Sequence, residues 1–372
     1  MRMKHLDTLR AMALGLVIVE HFGGRALNDL VPIGAGSVGV GCFFTLSGFL
    51  ISGILLESFD ARPDAKKSVW LDFYARRMLR LMPAFYAVII ALVLMGIEPV
   101  VHSWPWDAAY LTNVHIARGA RDTVFWSLSV EEQFYLFWPF AIAFVPRRWL
   151  VATIVAMMGL SLCFKLGIVL GGFDPRSATR LLPGHLVLLG MGCLLAVVSY
   201  RAGRANCFTW YNGAVRRRFT VAAWSALGLA VLSWLTIPVE GGMTRYFTND
   251  LLCGTFYAWL VLNCAIGVRG PLQAFFDNPV LQYIGRISYG IYLVHNWMPD
   301  IVTKYFGPMP KYQAAPIVLV LTFAVCILSW HFYEKPILRL KRFFWNAPLD
   351  RPRTAQPVPE DELPATKPAN AY

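Results

Sequence analysis

Arg10 and His21 are the first residues of this chain whose types and spacing suggest chemistry. They lie in LRAMALGLVIVEHF, a run that is otherwise apolar except for Glu20. At 100° of helical turn per residue, eleven positions return almost to the same face, so the two side chains should share one stripe. A rise of 1.5 Å per residue sets them about 16 Å apart. An ionisable group within an apolar span is costly unless it meets a partner or a wet cavity, which makes His21 a candidate general base. The alternative is a structural histidine hydrogen-bonded to a neighbouring helix. Arg10 likewise has a local alternative, an i,i+3 ion pair with Asp7.

Three further segments carry polar groups into apolar surroundings. WSLSVEEQFY holds Ser127, Ser129, Glu131, Glu132 and Gln133 near the start of one run. One of the two carboxylates could meet the imidazole, fix its tautomer and stabilise its charged form. Adjacent residues point about 100° apart, so only one should reach it, and either could instead cap the helix. FYARRMLRLMP places Arg77 and Arg80 at i,i+3 beside Arg76. Guanidinium forks of this kind bind phosphates bidentately, as a nucleotide-bearing donor would present them. A basic juxtamembrane turn is also an ordinary determinant of topology. GRISYGIYLVHNW, with Ser288, Tyr289, Tyr292, His295 and Asn296, is polar enough to line a cavity, and His295 could be functional or structural.

The elements that must position these groups follow from composition. Of 372 residues, 57% are hydrophobic and 15% charged, and the mean hydropathy is +0.50. Soluble domains carry roughly 25% charge, so the solvent implied is a bilayer. Ten apolar runs, at 6–22, 37–56, 81–97, 124–145, 149–171, 181–200, 219–237, 251–266, 287–302 and 314–333, approach the ~20 residues that span a membrane as helix. The segment 103–114 is left outside the count, as an interfacial or re-entrant piece. With the N-terminus inside, 25 of the 34 Lys and Arg residues fall on the cytoplasmic side and eight on the other. That asymmetry predicts an all-α polytopic membrane bundle with both termini cytoplasmic.

The net charge of +12 is therefore spread over loops beside anionic lipid, which argues against a nucleic-acid partner. Seven cysteines without CxxC spacing support neither a disulfide framework nor a zinc site. Glu20 and His21 interrupt the first run and no cleavage site follows, so that run reads as an uncleaved helix. Residues 1–345 form the expected membrane domain. Residues 346–372, rich in Pro, Ala and charge, are expected to be a disordered cytoplasmic tail.

Taken in order, LDTLRAMALGLVIVEHF, GCFFTLSGFLIS, ARRMLRLMPAFY, FWSLSVEEQFYLFWP, RISYGIYLVH and YEKP resemble the membrane acyltransferase-3 family over about residues 4–336. The resemblance implies O-acylation of bacterial cell-surface carbohydrates or glycolipids, or of macrolide-type small molecules. Acyl-CoA, chiefly acetyl-CoA, would be the donor substrate, with no permanently bound cofactor, and the bacterial inner membrane would be the location. It makes His21 the catalytic histidine, either as general base or as carrier of the acyl group between two half-reactions, Arg10 its partner in an arginine, ten residues, histidine pattern, and Arg77 and Arg80 the paired arginines of the donor site. The three arginines together are expected to bind the donor. Glu131 or Glu132 matches the glutamate of the WSLSVEE segment. Ser127, Ser129 and Tyr289 are the candidates for donors to an oxyanion. Some family members add an SGNH hydrolase-like domain after the last helix, and none is expected here. The rival class is a transporter or flippase with an intramembrane proton path, although the chain shows no inverted repeat.

Overall fold

The computed structural model of the protein describes residues 3–23, 34–202, 208, 210–236 and 242–344. The expected tail at 346–372 and Cys207 lie outside the described residues. Every regular element among the described residues is helical: α1 (Lys4–Phe22), α2 (Ala35–Ala61), α3 (Lys66–Leu94), α4 (Val100–Ala108), α5 (Thr112–Ala117), α6 (Phe125–Phe144), α7 (Leu150–Leu170) and α8 (Pro175–Arg180) form the first part. The second comprises α9 (Leu186–Arg201), α10 (Gly213–Thr236), α11 (Gly242–Ile266), α12 (Gln273–Phe276), α13 (Pro279–Val294), α14 (Met298–Phe306), α15 (Lys311–Ser329) and α16 (Lys335–Leu338).

All ten apolar runs lie largely in helix, but six stretches are long and apolar enough to cross a membrane unaided: Ala35–Ala61, Lys66–Leu94, Leu150–Leu170, Leu182–Arg201, Gly213–Thr236 and Gln313–Phe343. The runs that fall short are those in α1, α6, α11 and α13. Asp7, Arg10 and Glu20 interrupt α1, and Glu131 to Gln133 interrupt α6. The apolar part of α11 is only Asp250–Ile266. Helix α13 has 16 residues. Much of the polarity that weakens these helices as spans faces the cavities described below. On α7, α10 and α15 the apolar side chains are largely exposed, as a lipid-facing surface requires.

Two boundaries differ from the sequence expectation. Helix α3 begins at Lys66 rather than near Leu81, so Arg76, Arg77 and Arg80 sit inside one continuous helix. Lys and Arg are good helix formers, and Val69 and Phe73 bury a face of this basic half. The ninth run is broken: α13 stops at Val294 and α14 starts at Met298 with a proline in its first turn, leaving His295 at the break. The segment 103–114 folds as α4, a turn and α5. Buried Asp107 there accepts from Ser103 and Thr112, both at 2.7 Å.

Close approach of backbones sets the centre of the bundle. A Cβ on Gly48 of α2 would collide with the carbonyl of Leu189 on α9, and one on Gly192 of α9 with the carbonyl of Thr45 on α2. Lipid gives helices no hydrophobic reason to associate, so packing across small residues must do so. Helix α1 lies between α2 and α13. At its N-terminal end Thr8 donates to the Phe276 carbonyl and His5 Nε2 to Asp277, both at 2.8 Å. The bond from His5 leads the causes that hold the Asp277 carboxyl below its ordinary pKa.

Candidate active site

His21, in the last turn of α1, meets His295 rather than a glutamate of α6. Its Nδ1 lies 2.8 Å from His295 Nε2, with the rings stacked at a 16° interplanar angle. His295 is fully buried, whereas His21 is exposed to a cavity. The end of α13 decides which nitrogen carries which proton. Carbonyls in the last turn of a helix lack some of their intrahelical partners. His295 Nδ1 approaches those of Tyr292 at 2.8 Å and Ile291 at 3.2 Å, and only a protonated nitrogen can serve a carbonyl. A neutral His295 then has its lone pair on Nε2, so His21 Nδ1 must be the donor between the rings. His21 Nε2 is left as the basic nitrogen, the tautomer a general base requires.

Three cavities run end to end through the bundle. The first, about 610 Å³, is lined by His21, Glu20, Tyr292, Asn296, Lys165 and Arg180 among others. The second, about 260 Å³, is lined by Arg10, Arg77, Arg80, Ser127, Glu131 and Tyr289, with an apolar wall from Phe43 to Ile54 of α2. The two share Val40, Phe44 and Tyr292. A third, about 300 Å³, lies at the α1 N-terminal end and shares Arg10, Leu50, Arg80 and Tyr289 with the second.

The remaining candidates separate by what they touch. Glu131 accepts from Ser47 at 2.7 Å and lines the middle cavity. Glu132 points instead to Arg77, 3.5 Å away. Arg77 also stacks on Tyr135, with its guanidinium carbon 3.2 Å from the ring centroid. Arg10 makes the i,i+3 pair with Asp7 at 2.7 Å while still lining two cavities. Arg80 is exposed into the same two cavities, and among the described residues no carboxylate lies within 4 Å of it. Ser127 pairs with the Tyr292 hydroxyl at 2.6 Å. Tyr289 donates to the Leu81 carbonyl at 2.9 Å. Ser129 is fully buried, bonds to the Phe125 carbonyl of its own helix and lines none of the three cavities.

A family model described as an acyltransferase domain, that of acyltransferase-3, matches residues 3–334. The chain belongs to the acyltransferase-3 family. It is similar to O-acetyltransferase OatA of Staphylococcus aureus strain NCTC 8325 / PS 47, 26% identical over 370 aligned positions covering 89% of this chain and 56% of that protein. The putative O-acetyltransferase SAR0937 of Staphylococcus aureus strain MRSA252 is 28% identical over 388 positions, covering 93% of this chain and 59% of that protein. The chain thus spans less than two thirds of these curated relatives. No solved structure matches.

Three residues of this acyltransferase-3 chain gain importance from the structure. His295 stood in the sequence as a histidine of either kind, and its ring partner is 274 positions away. Tyr292, three residues earlier, closes the junction between two cavities. Glu20, which read as a mere interruption of the first run, accepts from the Gly36 amide at 2.6 Å. Its carboxylate thereby sits at the positive end of the α2 dipole and ties down the turn that carries His21. The available signal was a carboxylate beside a histidine, at the end of a span, followed a short loop later by a glycine-rich helix start.

Proposed function

We propose that the protein is a multi-pass O-acyltransferase of a bacterial plasma membrane. It takes an acyl group, acetyl in the first instance, from cytoplasmic acyl-CoA and places it on a hydroxyl of a carbohydrate or glycolipid reached from the opposite side. The observation that carries this reading is the pair of abutting cavities, one lined by Arg10, Arg77 and Arg80 and the other by His21. Family membership and the names of the two O-acetyltransferases support the class of reaction. The basic asymmetry of the loops supports ten spans, with both termini and the arginine end in the cytoplasm.

In this reading the phosphates of the donor lie on Arg80, with Arg77 and Arg10 behind it. The pantetheine arm follows the middle cavity along α2. The roughly 16 Å of helix between Arg10 and His21 is of the order of that arm's extended length. His21 Nε2 takes the proton of the acceptor hydroxyl as its oxygen attacks the thioester carbonyl. The C–S bond then breaks, and the leaving thiolate takes the proton back from the imidazolium. His295 accepts the His21 Nδ1 proton in a hydrogen bond throughout and holds the ring in place. The wide cavity beside His21 admits the acceptor.

The deciding experiment uses purified protein with labelled acetyl-CoA. His21→Gln keeps bulk and hydrogen bonding but has no titrating nitrogen. It should bind the donor normally, yet lose 10²- to 10⁴-fold or more in transfer and in slow thioester hydrolysis. Turnover within a few-fold of the native protein would remove His21 from the chemistry.

A further inference from the structure

The mouth cavity is more basic than a donor's diphosphate alone would need. Four cationic side chains line it: Arg10, Arg80, Arg286 and Lys341. Its two acids are otherwise engaged. Asp7 pairs with Arg10, and Glu334 accepts from Ser329 at 3.1 Å. Among the described residues no carboxylate stands within 4 Å of Arg80, Arg286 or Lys341. A basic rim can be a topology determinant and nothing more, but such a rim has no reason to converge on one cavity. Here four elements, α1, α3, α13 and the turn Arg339–Phe343, bring their charges together.

The placement of the two outermost cations is also built. Arg286 stands one turn before Tyr289 on α13, so both share the face that lines the mouth. Its guanidinium lies over the Tyr283 ring, 5.5 Å from the centroid, and its Nε donates to the Gln282 carbonyl. Lys341 sits in the turn Arg339–Phe343. Arg76 of α3 fixes that turn by donating to the Phe344 carbonyl at 2.8 Å and the Lys341 carbonyl at 3.3 Å. The backbone of Lys341 is thereby fixed beside the cavity that its side chain lines.

We infer that Arg286 and Lys341 form a subsite for the 3′-phosphate of the donor's adenosine, so that the mouth selects coenzyme A over donors that carry only its pantetheine and diphosphate. This rests on the acyl-CoA reading above and adds a specificity device to it. The chemistry is that of a phosphomonoester, a compact dianion, met by one planar fork and one mobile ammonium. Arg80 and Arg10, one layer deeper and shared with the middle cavity, are left for the diphosphate. The order along the cavities then reproduces the order of groups along the donor: phosphomonoester, diphosphate, pantetheine, thioester.

The test measures equilibrium binding of acetyl-CoA and of 3′-dephospho-acetyl-CoA to the full chain in detergent, for the native protein and for Arg286→Gln, Lys341→Gln and the double variant. The native protein should prefer acetyl-CoA by about ten- to a hundredfold, the worth of one to two charge-assisted contacts. Each single variant should lose part of that preference and the double variant most of it, with affinity for the dephospho donor unchanged. That unchanged affinity also shows that the variants fold. Equal binding of both donors by the native protein would overturn the subsite while leaving the acyl-CoA reading intact. A preference that survives in the double variant would overturn the assignment to these two residues. If neither donor binds the native protein, the acyl-CoA reading fails and takes the subsite with it.

Discussion

At the scale of single residues, the histidine pair turns on one proton. His295 Nδ1 faces the carbonyls of Ile291 and Tyr292, so its Nε2 can only accept, and the free lone pair of His21 is directed to Nε2. In the proposed reaction His295 is thus a positioning residue, as a buried orienting group is in histidine-based catalysts. His295→Leu should lower kcat by about 10²-fold while leaving donor KM near its native value. His295→Gln, which can still accept from His21 Nδ1, should recover most of the loss. Equal losses in both variants, or a loss confined to KM, would make His295 merely structural. The charges at this site were legible in sequence, because Arg10, His21, Arg77, Arg80 and Glu131 stand out against apolar runs. Their pairing was not. Which ring His21 meets depends on where α13 ends, and the sequence reads through that break from Ile287 to Val302 as one apolar stretch. Glu131 and Glu132 were similarly visible as a doublet whose partners, Ser47 and Arg77, depend on helix rotation.

At the scale of elements, the site is only as well placed as the contact between α2 and α9. Gly48 and Gly192 each face a backbone carbonyl of the other helix, and a carbonyl cannot step aside as a side chain can. Gly192→Val should lower the thermal midpoint in detergent, with overpacking costing about 1 to 3 kcal/mol. Gly159 on α7 gives the contrast, because a Cβ there meets nothing within 4 Å. Gly159→Ala should be neutral or gain up to about 1 kcal/mol from helix propensity. A midpoint that falls equally in both variants would show that the α2 and α9 contact is not special. The small residues of GCFFTLSGFLIS suit close packing, but they do not say which helix comes close. Helix α3 shows the opposite limit. Its basic first half falls outside the apolar run at 81–97 because hydropathy registers charge, whereas the charged residues themselves favour helix and one face is buried.

At the scale of the molecule, hydropathy finds the lipid-facing helices readily and misses as spans α1 and α6, which carry His21 and Glu131, and α13, which leads into His295. Helices α7, α10 and α15 leave most of their apolar surface unburied, while α1, α6, α11 and α13 carry ionisable groups inward. Lys165 is the exception on α7: it turns inward and pairs with Asp250 of α11 beside the cavity that holds His21. With 25 basic residues on one side and eight on the other, the connection between α2 and α3 should be cytoplasmic and that between α3 and α4 should not. Reporter fusions that are active on only one side of the membrane, placed after Asp64 and after Met95, should therefore give opposite signals, the first cytoplasmic. The prediction reaches beyond topology, because the mouth lined by Arg10, Arg80, Arg286 and Lys341 lies at the Asp64 side of α3. Acyl-CoA is a cytoplasmic metabolite, too polar to cross the bilayer unaided. A cytoplasmic signal after Met95 and an outer one after Asp64 would turn that mouth away from the donor. The arginines would then need an anionic ligand from the other compartment, and the direction of acyl transfer proposed here would not survive.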